Sequence, residues 1–160
     1  MLKALTLTIA LLFAAPAQAA FCPGAKFIWE QGHGSAEGGE LEDGSKYIIF
    51  DPEFWRELTP VGRKFILAHE CSHAYKLEHR KLFSRDEEFA ADKDAFERGV
   101  KEGWIRTDKH VSQICYALGT DVQSHTHPSS FMRCLKLWRM WAVHKNDHNN
   151  TKKRKRGNPK

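Results

Sequence analysis

A chain of 160 residues, 41% hydrophobic and 11% aromatic, is the size of one domain with a modest core. Its net charge of +5 is local: seven of the 25 cations are Lys3 or lie in residues 152–160, leaving 18 cations against 20 acids in residues 4–151. The body is therefore about −2, and beyond residue 19 no run is long and apolar enough to span a bilayer.

Residues 1–19 read as a signal peptide. Lys3 is a positive n-region, Ala4 to Ala15 an apolar h-region, and Ala17-Gln18-Ala19 an A-x-A cleavage site. The mature chain is expected to begin near Ala20 and to be exported, periplasmic or extracellular. Its cysteines are Cys22, Cys71, Cys115 and Cys134. An even count in an exported chain favours disulfides, with three pairings open. Cys115–Cys134 is favoured, because both sit on expected helices whose connecting loop can fold back as a hairpin. That leaves Cys22–Cys71.

Lys26 to Glu30 and Lys46 to Phe50 are short runs rich in β-branched and aromatic residues and read as strands. The glycine-rich stretch Gly32 to Gly44 between them reads as a loop or wide hairpin. Pro52 to Leu58 reads as a short helix. Thr59-Pro60 starts a longer one, with Thr59 as N-cap and Pro60 at the first position. It is expected to run to about Leu77, followed by a charged connection from Glu78 to Phe83. Ser84-Arg85-Asp86-Glu87 is a capping box opening a helix to about Glu102, with Gly103 past its end. Thr107 caps a shorter helix that ends before Gly119. Asp121 to Thr126 is a polar loop. Pro128 starts a last long helix to about His144, with Phe131, Leu135, Trp138 and Trp141 or Ala142 on its buried side. Residues 145–160 are polar and then polybasic, and read as disordered.

Within the Thr59 helix lies His69-Glu70-Cys71-Ser72-His73, a His-Glu-x-x-His motif. Residues four apart on a helix differ by about 40° in azimuth, so His69 and His73 can hold one ion. Glu70 lies between them in azimuth and can reach a water on that ion as general base. Cys71 is about 200° round from His69 and points away. A catalytic zinc needs three protein ligands and an open position. Glu88, in Glu88-Phe89-Ala90-Ala91-Asp92, supplies the third, because Ala91 and Ala95 on its face let the two helices approach. Asp92, one turn on, is placed to accept the free N–H of a ligating histidine. One Zn2+ ion is the expected cofactor.

These motifs together resemble the gluzincin metallopeptidases of the HtpX and CAAX-prenyl-protease clan. The resemblance rests on His69-Glu70-x-x-His73, Glu88-x-x-Ala91-Asp92, and His127-Pro128 with Arg133 six residues after the histidine. It spans roughly residues 59–144. Only 14 residues separate His73 from Glu88, which implies a minimal, soluble form without the family's larger insertions. The resemblance implies peptide-bond hydrolysis. It also implies that His127 lies near the zinc, as a transition-state donor or a blocking group, and that Arg133 is structural or ion-pairing. His33, His79, His110, His125, His144 and His148 have no motif support and read as surface residues.

The expectation is an α+β, mostly helical metallopeptidase domain over residues 20–144, with a small N-terminal sheet. In such a fold an edge strand beside the active helix binds extended substrate, and Lys46 to Phe50 is the candidate. The partner is a peptide or protein substrate. Two other readings stand beside this one. A non-catalytic zinc protein would not need Glu70 and would prefer four ligands. Alternatively, Lys152 to Arg156 could bind a polyanion or anionic surface by charge alone.

Overall fold

The computed structural model describes residues 21–75, 84–119 and 128–156, with side chains as far as Thr151. They form an α+β, mostly helical fold: β1 (Lys26–Trp29), β2 (Ala36–Glu40), β3 (Lys46–Phe50), α1 (Pro52–Glu57), α2 (Pro60–Tyr75), α3 (Arg85–Lys101), α4 (Asp108–Ala117) and α5 (Ser130–Arg156). The expected signal peptide, the expected connection from Glu78 to Phe83, the expected loop from Asp121 to Thr126 and His127 lie outside the described residues, as do residues 157–160.

The sheet order is β1-β3-β2, with β1 parallel and β2 antiparallel to β3. This corrects the sequence reading twice. The stretch expected to be a loop contains a whole strand, Ala36–Glu40. Lys46–Phe50, expected to be the substrate-binding edge, is the central strand and is paired on both sides. The edge beside α2 is β2. Its sequence, Ala-Glu-Gly-Gly-Glu, lacks β-branched and aromatic residues, so propensity gives no hint of a strand. Its strand conformation comes from pairing. Leu41 N donates to Ser45 O, and Gly44 takes the left-handed φ of 79° that closes the hairpin onto β3.

α2 is capped as expected: Thr59 Oγ1 accepts from Gly62 N at 3.1 Å. Every residue from Phe65 to Ala74 is buried, because β2, β3, α3 and α4 enclose the helix. α3 opens on the expected capping box, with both reciprocal Ser84–Glu87 hydrogen bonds. Its buried face is Glu88, Ala91, Asp92, Ala95 and Gly99. The small residues on that face let α3 lie close to α2. Phe50, Phe65, Ile48, Ile105, Ile114, Leu137 and Val111 make the centre of the core.

Two disulfides, Cys22–Cys71 and Cys115–Cys134, pin the N-terminal segment to α2 and α4 to α5. They close loops of 49 and 19 residues. In the chain-entropy account such loops stabilise by about 4 and about 3 kcal/mol. Two disulfides suit an oxidising compartment. No described helix is long and apolar enough to cross a membrane.

α5 departs from expectation in its face and its length. Phe131 is 72% exposed, and the inward residues are Ser130, Leu137 and Trp141. Trp141 is buried as expected and Trp138 packs against the core, but the first turn is rotated so that Ser130, not Phe131, points inward. Cys134, tied to α4, and Ser130, whose hydroxyl donates to Leu118 O at 2.8 Å, set that rotation. Residues 145–156, expected to be disordered, continue the helix to Arg156. Trp141 and Lys145 both hydrogen-bond Asp108, and an anchored helix propagates at little cost into polar sequence.

Candidate metal centre

α2 supplies His69, Glu70 and His73, and α3 supplies Glu88 and Asp92. Arg133 comes from the first turn of α5. His69 Nε2 and His73 Nε2 lie 3.1 Å apart. Glu88 Oε2 is 3.5 Å from His69 Nε2, and Glu88 Oε1 is 3.2 Å from His73 Nε2. These side chains are only 4–6% exposed. Ligands at about 2.1 Å in a tetrahedron stand roughly 3.4 Å from one another. The two histidine nitrogens and the Glu88 carboxylate, which faces one ring with Oε2 and the other with Oε1, thus stand at about the spacing of ligands round one ion. His69, His73 and Glu88 are a buried group that could hold one metal ion.

A second layer of contacts orients these ligands. Asp92 Oδ1 lies 3.0 Å from His69 Nδ1, which turns Nε2 towards the ion position. Arg133 clasps Asp92 through Nε at 2.8 Å and Nη2 at 2.6 Å, and its Nη1 is 3.3 Å from Glu88 Oε2. Burial would raise the Asp92 carboxyl, but the Arg133 and His69 hydrogen bonds outweigh it and hold it below the usual range. Burial likewise opposes Glu88, and His69, His73 and Arg133 still push its carboxyl strongly down. His69 shows the reverse. Burial lowers its imidazole, yet Asp92 and Glu88 lift it to about 9 in the metal-free protein.

Glu70 stands apart from the ligand set. It is 7% exposed, and Oε2 accepts from Gly38 N at 2.7 Å. Burial raises its carboxyl, which suits a group that must take and return a proton. The contact requires glycine at position 38. A Cβ there would come within 2.2 Å of the Glu70 carbonyl oxygen.

An open cleft of about 570 Å³ lies over these groups. One wall holds His69, Glu70, His73, Glu88 and Arg133, and the other is the segment from His33 to Gly38. Sequence reasoning missed this second wall. It took His33 for a surface residue, whereas His33 lines the cleft. The only local signal was the run of glycines, which marks close backbone approach as readily as a loop. Of the other histidines, His110 Nδ1 accepts from Arg106 N, and His144 and His148 stack along α5. His79 and His125 lie outside the described residues.

No family model, curated protein or solved structure matches the chain.

Proposed function

We propose that this chain is an exported zinc metallopeptidase that hydrolyses peptide bonds with Glu70 as general base. The observation that carries the reading is two buried imidazole nitrogens 3.1 Å apart, with one or other oxygen of the Glu88 carboxylate 3.2–3.5 Å from each and a buried non-ligand carboxylate beside them in an open cleft. A purely structural site has no use for Glu70. The donor set of two imidazoles and one carboxylate fits zinc. Zinc held by His69, His73 and Glu88 would lower the pKa of its water to about 7 and polarise the scissile carbonyl.

The chain's own residues supply the rest. The Gly38 N–H holds Glu70 Oε2, which fixes the carboxylate while Oε1 takes the proton of the attacking water. Glu70 then returns that proton to the leaving amine. Ser35 and Leu41, which flank β2, pair with Asp51 and Ser45, which flank β3, so the alternation turns the backbone of Ala36 and Gly38 away from β3. An extended peptide can add to that edge beside the metal position. His127 remains a proposed transition-state donor or blocking group, on the resemblance alone.

The test is a peptide-library cleavage screen. Cleavage should be lost on chelation and restored by zinc. A zinc-loaded protein that cuts no peptide would overturn the reading.

A further inference from the structure

Glu37 precedes Gly38 on β2 and lies at the rim of the cleft, its side chain 44% exposed. The register puts it on the same sheet face as Tyr47, whose hydroxyl donates to Glu37 Oε1 at 2.9 Å. Burial, and then Glu37 itself, push Tyr47 up to about 12, so near neutrality the hydroxyl keeps the proton it donates. Glu37 Oε2 lies 3.8 Å from His33 Nε2, too far for a hydrogen bond, so this oxygen keeps its acceptor capacity.

The rim is rigid. His33 sits between Gly32 and Gly34, whose φ angles of 84° and 78° are left-handed. Both glycine N–H groups donate to Asp51 Oδ2 at 2.9 Å. Asp51 is buried, and its other oxygen caps α1.

Charge makes Glu37 conspicuous. Among the described lining residues there are three carboxylates, Glu37, Glu70 and Glu88, and one guanidinium, Arg133. Glu88 and Arg133 are committed to the metal ligands and to Asp92, and Glu70 to Gly38. Glu37 is thus the one described lining carboxylate outside that network, and Glu disfavours strands. Such local conflicts collect at functional positions.

Resting on the peptidase reading, we propose that Glu37, with Tyr47 and His33 about it, is a specificity subsite for a substrate cation, an ammonium or guanidinium. Glu37 Oε2 accepts the cation's N–H, Tyr47 holds the carboxylate in place, and the His33 ring forms the side of the subsite. The cation is a lysine or arginine side chain, or the peptide's own N-terminal amine.

Three peptide sets separate these sources: N-acetylated with one lysine scanned about the cut, N-acetylated with norleucine in its place, and norleucine with a free N-terminus. A charged hydrogen bond in a half-exposed site predicts about a tenfold preference in kcat/KM for lysine or for the free amine. Glu37→Gln should bring that ratio towards one, and Glu37→Lys should favour a glutamate peptide. Mere structural damage would lower all sets together and leave the ratio unchanged. Calorimetric binding of the same peptides to Glu70→Gln, with and without Glu37→Gln, tests the subsite without turnover. A charge preference in binding that depends on Glu37, with no cleavage in the wild type, would sink the peptidase reading and keep the subsite. Cleavage with no preference, or a preference that survives Glu37→Gln, overturns the subsite.

Discussion

The two walls of the cleft are built on opposite principles. On the α2–α3 wall, side chains do everything: His69, His73, Glu88 and Asp92 are buried, and with the mostly buried Arg133 of α5 they hold one another through charged hydrogen bonds. On the β2 wall the backbone does most of the work. Gly38 meets Glu70 through its N–H, and the loop before it hangs on the Asp51 carboxylate. Buried charges survive only when each is answered, so the ligand wall tolerates little change at any member. The β2 wall depends instead on the absence of a side chain at one residue.

Gly38→Ala is the sharpest way to break that contrast. The added Cβ meets backbone that cannot swing aside, so β2 must move from α2. A shift of about 1 Å should lower kcat/KM by about 10²-fold, and the overpacking should cost about 1–3 kcal/mol. Metal content, set by the other wall, should stay stoichiometric in elemental analysis. Loss of metal in this variant would show that the walls are not independent.

On the ligand wall, Asp92→Asn leaves Arg133 without its carboxylate clasp and His69 without its charged partner. Metal affinity measured by chelator competition should fall by about 10–100-fold, while β2 and its cleft-facing contacts stay in place.

The helical wall was legible in the sequence because its signals are local. Ligand spacing on α2, the Ser84 capping box and the small residues of α3 are all read within one or two turns. β2 was not legible, because its pairing with β3 and its contact with Glu70 lie outside its own five residues. α5 lies between these extremes. Apolar residues at 131, 135, 137, 138, 140 and 141 leave its azimuth open, and the bonds at Ser130 and Cys134 choose it. The Cys115–Cys134 pair was readable from helix placement, and Cys22–Cys71 only as what remained. The extent of α5 was not, since composition alone does not show that Asp108 anchors it.

The ligand wall should also respond to pH. In the metal-free protein His69 is raised from 6.5 to about 9. Its contribution to stability is therefore complete below pH 6.5 and is lost as pH rises from 6.5 to about 9. Melting of the chelator-stripped protein should occur at lower temperature across that window. The proton on His69 competes with the ion, so metal affinity should rise over the same window. A flat affinity from pH 6.5 to 9 would remove His69 from the ligand set.

The smallest effect is expected far from both walls. Removing residues 145–160 deletes an exposed Lys145–Asp108 pair, worth less than about 1 kcal/mol. Cleavage of a small peptide should be unchanged.

The central claim is that Glu70 moves a proton and does not hold the ion. Turnover of a cleaved peptide by Glu70→Gln, at metal content matched to wild type, tests it most directly. The account predicts full metal occupancy and a loss of kcat of about 10³-fold or more, within the range of general-base contributions. Wild-type turnover in Glu70→Gln would contradict it.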